Sequence, residues 1–203
     1  MYTSTSFISK LQEHGGISKA NKFLLKSVTL PTTNPKVANH FNTLDYNKSL
    51  EDMSYFCEAT NFPGRNLATQ SFRTGSVSRE FVHSNNFNDT LTLTFNLTDD
   101  MFVKNFFDDW QELIMPLTNK KRNREYLTNN IQVYPKDYYG TVVICKLKKD
   151  LSTTSNNYEK EYMIQLHEAF PKQVNPINLS FSSNEVMKLQ VVIAYSRWQR
   201  IYQ

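Results

Sequence analysis

Glycine is scarce in this chain, with five in 203 residues. Phosphate-cradling loops need several glycines at fixed offsets, and a nucleophile elbow needs G-x-S-x-G; neither pattern occurs. Cysteine is scarcer still. Cys57 and Cys145 stand far apart inside expected strands, which reads as two buried free thiols and not as a disulfide framework. The four histidines, His14, His40, His83 and His167, are scattered, and none has metal-ligand spacing with a cysteine or carboxylate. Long apolar runs are missing too: none approaches the roughly 20 residues that a membrane helix requires. The first ten residues lack the charged start and apolar middle of a secretory signal. The expectation is a protein made and kept in the cytosol unless it leaves as part of a particle. Its net charge of +4 is too mild to imply nucleic acid by itself.

What is present is alternation. From Met187 to Ser196, Met187, Leu189, Val191, Ile193 and Tyr195 point one way and Lys188, Gln190, Ala194 and Ser196 the other, the period of a sheet with one buried face. One long strand is expected from Val186 to Trp198, preceded by a short one at Leu179–Phe181 and by a strand from Tyr158 that stops at Phe170-Pro171. Thr90 to Leu97 alternates in the same way, and Asn21–Leu30, Met53–Ala59 and Thr141–Lys149 read as further strands. Leu67–Arg73 and Ser76–His83 flank Thr74-Gly75 and suggest a hairpin. One helix interrupts the pattern. Val103, Phe106, Phe107, Trp110, Leu113 and Ile114 fall at helical spacing, with Thr98 or Asp99 as the cap and Pro116 as the stop. Its aromatic face belongs on the sheet as packed core. The fold class expected is mainly β: an antiparallel sandwich or barrel with one packed helix, in one domain spanning residues 1–203 with an N-terminal arm over 1–20.

Chemistry is thin. His167-Glu168 sits on or beside a strand, where neighbours face opposite ways. Asp99-Asp100 suits a helix N-terminus and Asp108-Asp109 a solvated helix face. No catalytic, cofactor or metal residues are expected, and no small-molecule substrate. Two long polar segments remain, 31–52 and 117–138. Loops of that length inside a compact domain are uncommon unless they bind something; contact with a partner or a neighbouring copy is the favoured reading, and simple disorder the other. Each carries isolated large apolar residues that water would not favour: Phe41, Leu44 and Tyr46 in the first, Tyr126, Leu127 and Ile131 in the second. These are candidate subunit-interface residues. The second loop also holds the basic run Lys120, Lys121, Arg122 and Arg124. A phosphate clamp usually draws cations from several elements with aromatic stacking partners, so a solvated or protein-contacting loop is the plainer reading.

The order of parts resembles a known family. The first strand, Tyr55-Phe56-Cys57-Glu58-Ala59-Thr60-Asn61-Phe62-Pro63, the helix with Phe106-Phe107-Asp108-Asp109-Trp110, and the block from Glu168-Ala169-Phe170-Pro171 to Trp198 are similar to the tail tube proteins of contractile-tailed, T4-like bacteriophages. The similarity covers roughly residues 22–30 and 53–200 and rests on the ordered set. It implies paired antiparallel sheets flanked by a helix, and a homo-oligomer of hexameric rings stacked into a tube inside a contractile sheath. It also implies sheath and baseplate partners, genomic DNA passing non-specifically through the lumen, and a place in the virion tail after assembly in the host cytoplasm. A tube initiator or adaptor of the same fold, at baseplate or neck, is the near alternative. A small β-barrel nucleic-acid-binding module using Lys120 to Arg124 is the distant one. Two features depart from the pattern: the long loops, and a net positive charge where the family implies an acidic lumen.

Overall fold

Thirteen residues of alternating and aromatic sequence, Tyr162–Val174, form a strand long enough to belong to two sheets. The computed structural model describes residues 4–14, 17–30, 52–87, 90–115, 133–147, 162–182 and 185–201. Their elements in chain order are α1 (Ser4–Glu13), β1 (Phe23–Thr29), β2 (Cys57–Thr60), β3 (Arg65–Thr74), β4 (Val77–Phe87), β5 (Thr90–Asn96), α2 (Phe102–Ile114), α3 (Pro135–Tyr138), β6 (Gly140–Lys146), β7 (Tyr162–Val174), β8 (Lys188–Ala194) and β9 (Arg197–Ile201). The first half of β7 pairs with β6 on one side and with β9 on the other. From Phe170 onward β7 pairs with β8 instead. Every pairing in the two sheets is antiparallel, giving one layer in the order β1-β6-β7-β9 and a second in the order β7-β8-β5-β2.

The strand changes layers at Glu168, whose φ of 57° lies in the left-handed region, and the ladders slip register at Gly140/Val142 and Pro171/Gln173 on either side. Such bulges bend a strand and let it turn a corner between sheets. The corner explains two differences from the sequence reading. Pro171 does not stop the strand: pairing with β6 has ended at Ala169, so a residue without an N–H is tolerated there and β7 runs on to Val174. The expected strand Val186–Trp198 is two strands, broken where the Ser196 N–H donates to the His167 carbonyl at 3.1 Å. β8 stays in one layer and β9 joins the other. Alternation cannot signal this, because the buried face persists through Tyr195 while the partner changes.

Apolar side chains from both layers meet between them: Leu25 and Val28, Val142 and Ile144, Ile164 and Leu166 from one, Leu91, Leu93 and Phe95, Leu189, Val191 and Ile193 from the other, all buried. Helix α2 packs Val103, Phe106, Phe107 and Trp110 into the same core, as its spacing requires. Phe107 lies 5.6 Å from Phe95 between ring centroids, and the Trp110 Nε1–H donates to the Tyr138 carbonyl at 3.0 Å. Gly140 is dictated by close approach, since a Cβ there would stand 2.6 Å from the Thr29 carbonyl oxygen and 2.9 Å from Trp110 Cζ2.

Other boundaries move for local reasons. Residues 52–56 are helical, burying Met53, and the strand expected from Met53 begins at Cys57. Leu179–Phe181 is not a strand but leads into a turn. Helix α2 starts at Phe102 after Met101 at φ 53°; its cap is neither Thr98 nor Asp99 but the Asp100 carboxylate, which accepts from the Phe102 N–H at 3.2 Å and from the Thr98 hydroxyl. The end of the segment 117–138 is structured, with α3 burying Tyr138 against Phe170. The arm over 1–20 contains α1.

Candidate assembly interface

Physical chemistry singles out the hairpin. β3 and β4, ten and eleven residues long, pair with each other and, among the described residues, with no other strand. The turn is Gly75-Ser76, with Gly75 at φ 66°, the left-handed conformation a two-residue hairpin turn requires. A lone two-stranded ribbon is marginal in water. This one is also long, with both outer edges open among the described residues and large apolar residues exposed: Phe72 at 63%, Val77 at 55% and Phe81 at 57%. Long open edges template pairing with other chains unless something covers them.

The register sorts the hairpin into two faces. Phe72 opposes Arg79 and Gln70 opposes Phe81, placing Gln70, Phe72, Val77, Arg79 and Phe81 on one side. Thr69, Ser71 and Arg73 share the other with Ser78, Glu80 and Val82. His83 is the extra residue of a bulge, since Thr69 pairs with Val82 and Ala68 with Ser84. At the root, Trp198 of β9 holds both strands to the body. Its Nε1–H donates to the carbonyl of Gly64, just before β3, at 3.1 Å. Its ring meets Phe87, the last residue of β4, edge-on at 6.4 Å. The hairpin is thus attached to the two-layer body at its base and extends from it with both faces exposed.

Two other patches are open. Helix α1 is exposed along its length, with Phe7 at 65%, Ile8 at 52% and Leu11 half-buried. The connection after β7 exposes Leu179, Phe181 and Val186.

The residues that usually carry chemistry have structural surroundings. No group of three His, Cys, Asp or Glu able to hold a metal occurs among the described residues. The Thr98 hydroxyl and the Phe102 N–H hold the Asp100 carboxyl below its ordinary value, the signature of a helix cap. Asp108 pairs with Lys104 one helical turn away. Both cysteines are free; burial pushes the Cys57 thiol up to about 12, which leaves it unreactive near neutral pH. The sequence-expected interface residues Phe41, Leu44, Tyr46, Tyr126, Leu127 and Ile131, and the basic residues Lys120, Lys121, Arg122 and Arg124, lie outside the described residues. Phe72, Val77 and Phe81, which the structure brings onto one face, were not singled out by sequence reasoning. Their common face depends on the two-residue turn, and no periodicity within either strand alone reveals it.

A two-layer antiparallel β body, with a helix packed into its core and a long hairpin standing off it, defines a mainly β protein of tail-tube type. The chain belongs to the phage tail tube protein family, whose model matches residues 18–201. The fold recurs in solved particles. One chain of the anti-feeding prophage baseplate is similar with a TM-score of 0.54 at 13% identity, covering 92% of this chain and 96% of that one. A chain of the sheath-tube complex of an extracellular contractile injection system, PVC, has a TM-score of 0.51 at 11% identity, with 98% and 100% covered. A chain of the tube-terminating cap of the anti-feeding prophage has a TM-score of 0.52 at 13% identity, with 92% of each chain covered. No curated protein matches the sequence.

Proposed function

We propose that this chain is the tube subunit of a contractile tail, a non-enzymatic structural protein in one domain. It forms hexameric rings that stack into a conduit for DNA inside a sheath, in a virion tail assembled in the host cytoplasm. The observation that carries the reading is the hairpin. Edges of ten and eleven residues, one on each side of a single ribbon, can pair β3 of one copy with β4 of the next. Such head-to-tail pairing closes when the rotation between copies closes, and a closed ring leaves no edge exposed. Family membership supports the role, and the symmetry of a particle with the same fold supports the number: the anti-feeding prophage baseplate is six-fold symmetrised. The loop residues Phe41, Leu44, Tyr46, Tyr126, Leu127 and Ile131 belong, in this reading, to contacts between stacked rings.

A second reading keeps the fold and changes the station. The likeness to baseplate and cap chains favours an initiator, adaptor or terminator that makes a ring and does not polymerise. Negative-stain microscopy of the purified chain separates the two: long tubes support the tube subunit and isolated rings the second reading. Monomers at high concentration contradict both.

A further inference from the structure

The hairpin is an insertion between two strands of one layer. β2 precedes it and β5 follows it, and those two strands pair with each other. Both chain connections, residues 61–64 and 88–89, therefore tie the ribbon to the same layer, and two ties define an axis about which a ribbon can swing. A third tie off that axis locks it. Trp198 supplies one from the other layer. It lies on β9, held in the sheet by pairing with the fully buried Leu166, and it reaches both ends of the hairpin, Gly64 through its Nε1–H and Phe87 ring to ring. The same corner is braced by Phe62, whose ring meets that of Tyr162 on β7 at 5.8 Å, with the Arg200 guanidinium 4.9 Å from the Tyr162 ring centroid. Burial ends at this corner. Pro63 is buried and Gly64 and Phe87 are half-buried, whereas β4 is exposed at every residue from Val77 to Asn86.

Resting on the ring reading above, we infer that Trp198 is a positioning residue for assembly: it sets the angle between hairpin and body, and with it the angle at which β3 of one copy meets β4 of the next. Paired edges fix one hairpin against its neighbour. The root fixes each hairpin against its own body, and a ring closes at a single copy number when that angle is the same in every copy. The length of the ribbon makes the tolerance small. From Phe87 to Val77 β4 extends about 33 Å, so a swing of about 10° carries the tip about 6 Å, more than the roughly 4.8 Å between paired strands. Tryptophan suits the task because it joins a large flat ring to a single N–H donor, and so fixes a direction as well as a distance.

Two substitutions test this from opposite sides of the contact, Trp198→Ala on β9 and Phe87→Ala on β4. The chain has two tryptophans, so in Trp198→Ala the emission of buried Trp110 reports the core alone. Trp110→Phe is the control, since it weakens the core without touching the hairpin root. Ring copy number is read from negative-stain class averages, and folding from tryptophan emission and urea titration. Both root variants are expected to keep a cooperative urea transition, with Trp110 emission at the wild-type wavelength, and to lose the single ring size of the wild type in favour of open arcs and rings of several sizes. The control is expected to keep the wild-type size. A wild-type ring population in a folded root variant overturns the inference and leaves the ring reading intact. So does the same spread of sizes in Trp110→Phe, because lost stability then accounts for it. If Trp198→Ala does not fold, Phe87→Ala, which leaves β9 untouched, decides by the same outcomes. A wild-type chain that forms no ring overturns the ring reading, and this inference with it.

Discussion

Replacing Trp110 by alanine removes one of the largest fully buried side chains of the core. Its ring is fully buried, stacks on Phe107 at 6.4 Å, meets Phe106 at 5.9 Å and closes against Gly140. Truncating a buried tryptophan to alanine costs about 3 to 5 kcal/mol through lost transfer energy and the cavity left behind. The Nε1–H also satisfies the Tyr138 carbonyl, and a buried acceptor left without its donor adds about 1 to 3 kcal/mol. Against a typical domain stability of about 5 to 15 kcal/mol, Trp110→Ala should leave little or no folded protein. Trp110→Phe keeps the aromatic packing and loses the donor, so it should cost about 1 to 3 kcal/mol. Urea titrations followed by circular dichroism measure both, with the order wild type, Phe, Ala in midpoint. A soluble Trp110→Ala chain with an unchanged midpoint would refute the placement of α2 in the core.

Gly140→Ala should lower the midpoint by about 1 to 3 kcal/mol in stability, the usual range for overpacking, because its Cβ has 2.6 Å to the Thr29 carbonyl oxygen and 2.9 Å to Trp110; a neutral effect would show that β1, β6 and α2 do not converge there. Asp100 titrates below the ordinary aspartate value of 3.8 in the folded chain, so its contribution is present above that pH and lost as the pH falls through the folded value. Acid titration of Asp100→Asn should therefore show a shallower loss of stability below pH 4 than the wild type, and identical acid profiles would remove its role as cap. For residues 31–51 and 117–132, which hold Phe41, Leu44, Tyr46, Tyr126, Leu127 and Ile131, burying two of those large apolar side chains against a neighbour contributes about 3 to 6 kcal/mol. Hydrogen exchange should show protection gained there only on assembly, and equal protection in monomer and assembled particle would refute a role in subunit contacts.

The elements most legible in the sequence are those in which burial alone decides the pattern. Leu91, Leu93 and Phe95 alternate with threonines in β5, and Val103, Phe106, Phe107 and Trp110 keep helical spacing in α2; both take the places their periodicity requires. The hairpin was legible as a hairpin, from Gly75 and its flanks. Its separation from the body was not, because exposure of Phe72 and Phe81 is a tertiary fact. The corner at Glu168 and the break before β9 escaped for a related reason. Both depend on which strand lies alongside, and a continuous run of alternating residues carries no record of a change of partner. Of the candidate site, the long loops drew attention through their length, whereas Trp198, which clamps the hairpin through Gly64 and Phe87, read only as the end of a strand.

The claim at the centre of this account is that hairpin edges close the ring. A cryo-electron microscopy reconstruction of the assembled particle tests it directly. Six copies per ring are expected, with β3 of each copy hydrogen-bonded to β4 of the next along the hairpin. A ring of another copy number would contradict the six-fold reading, and particles in which those two edges remain unpaired would contradict the central claim.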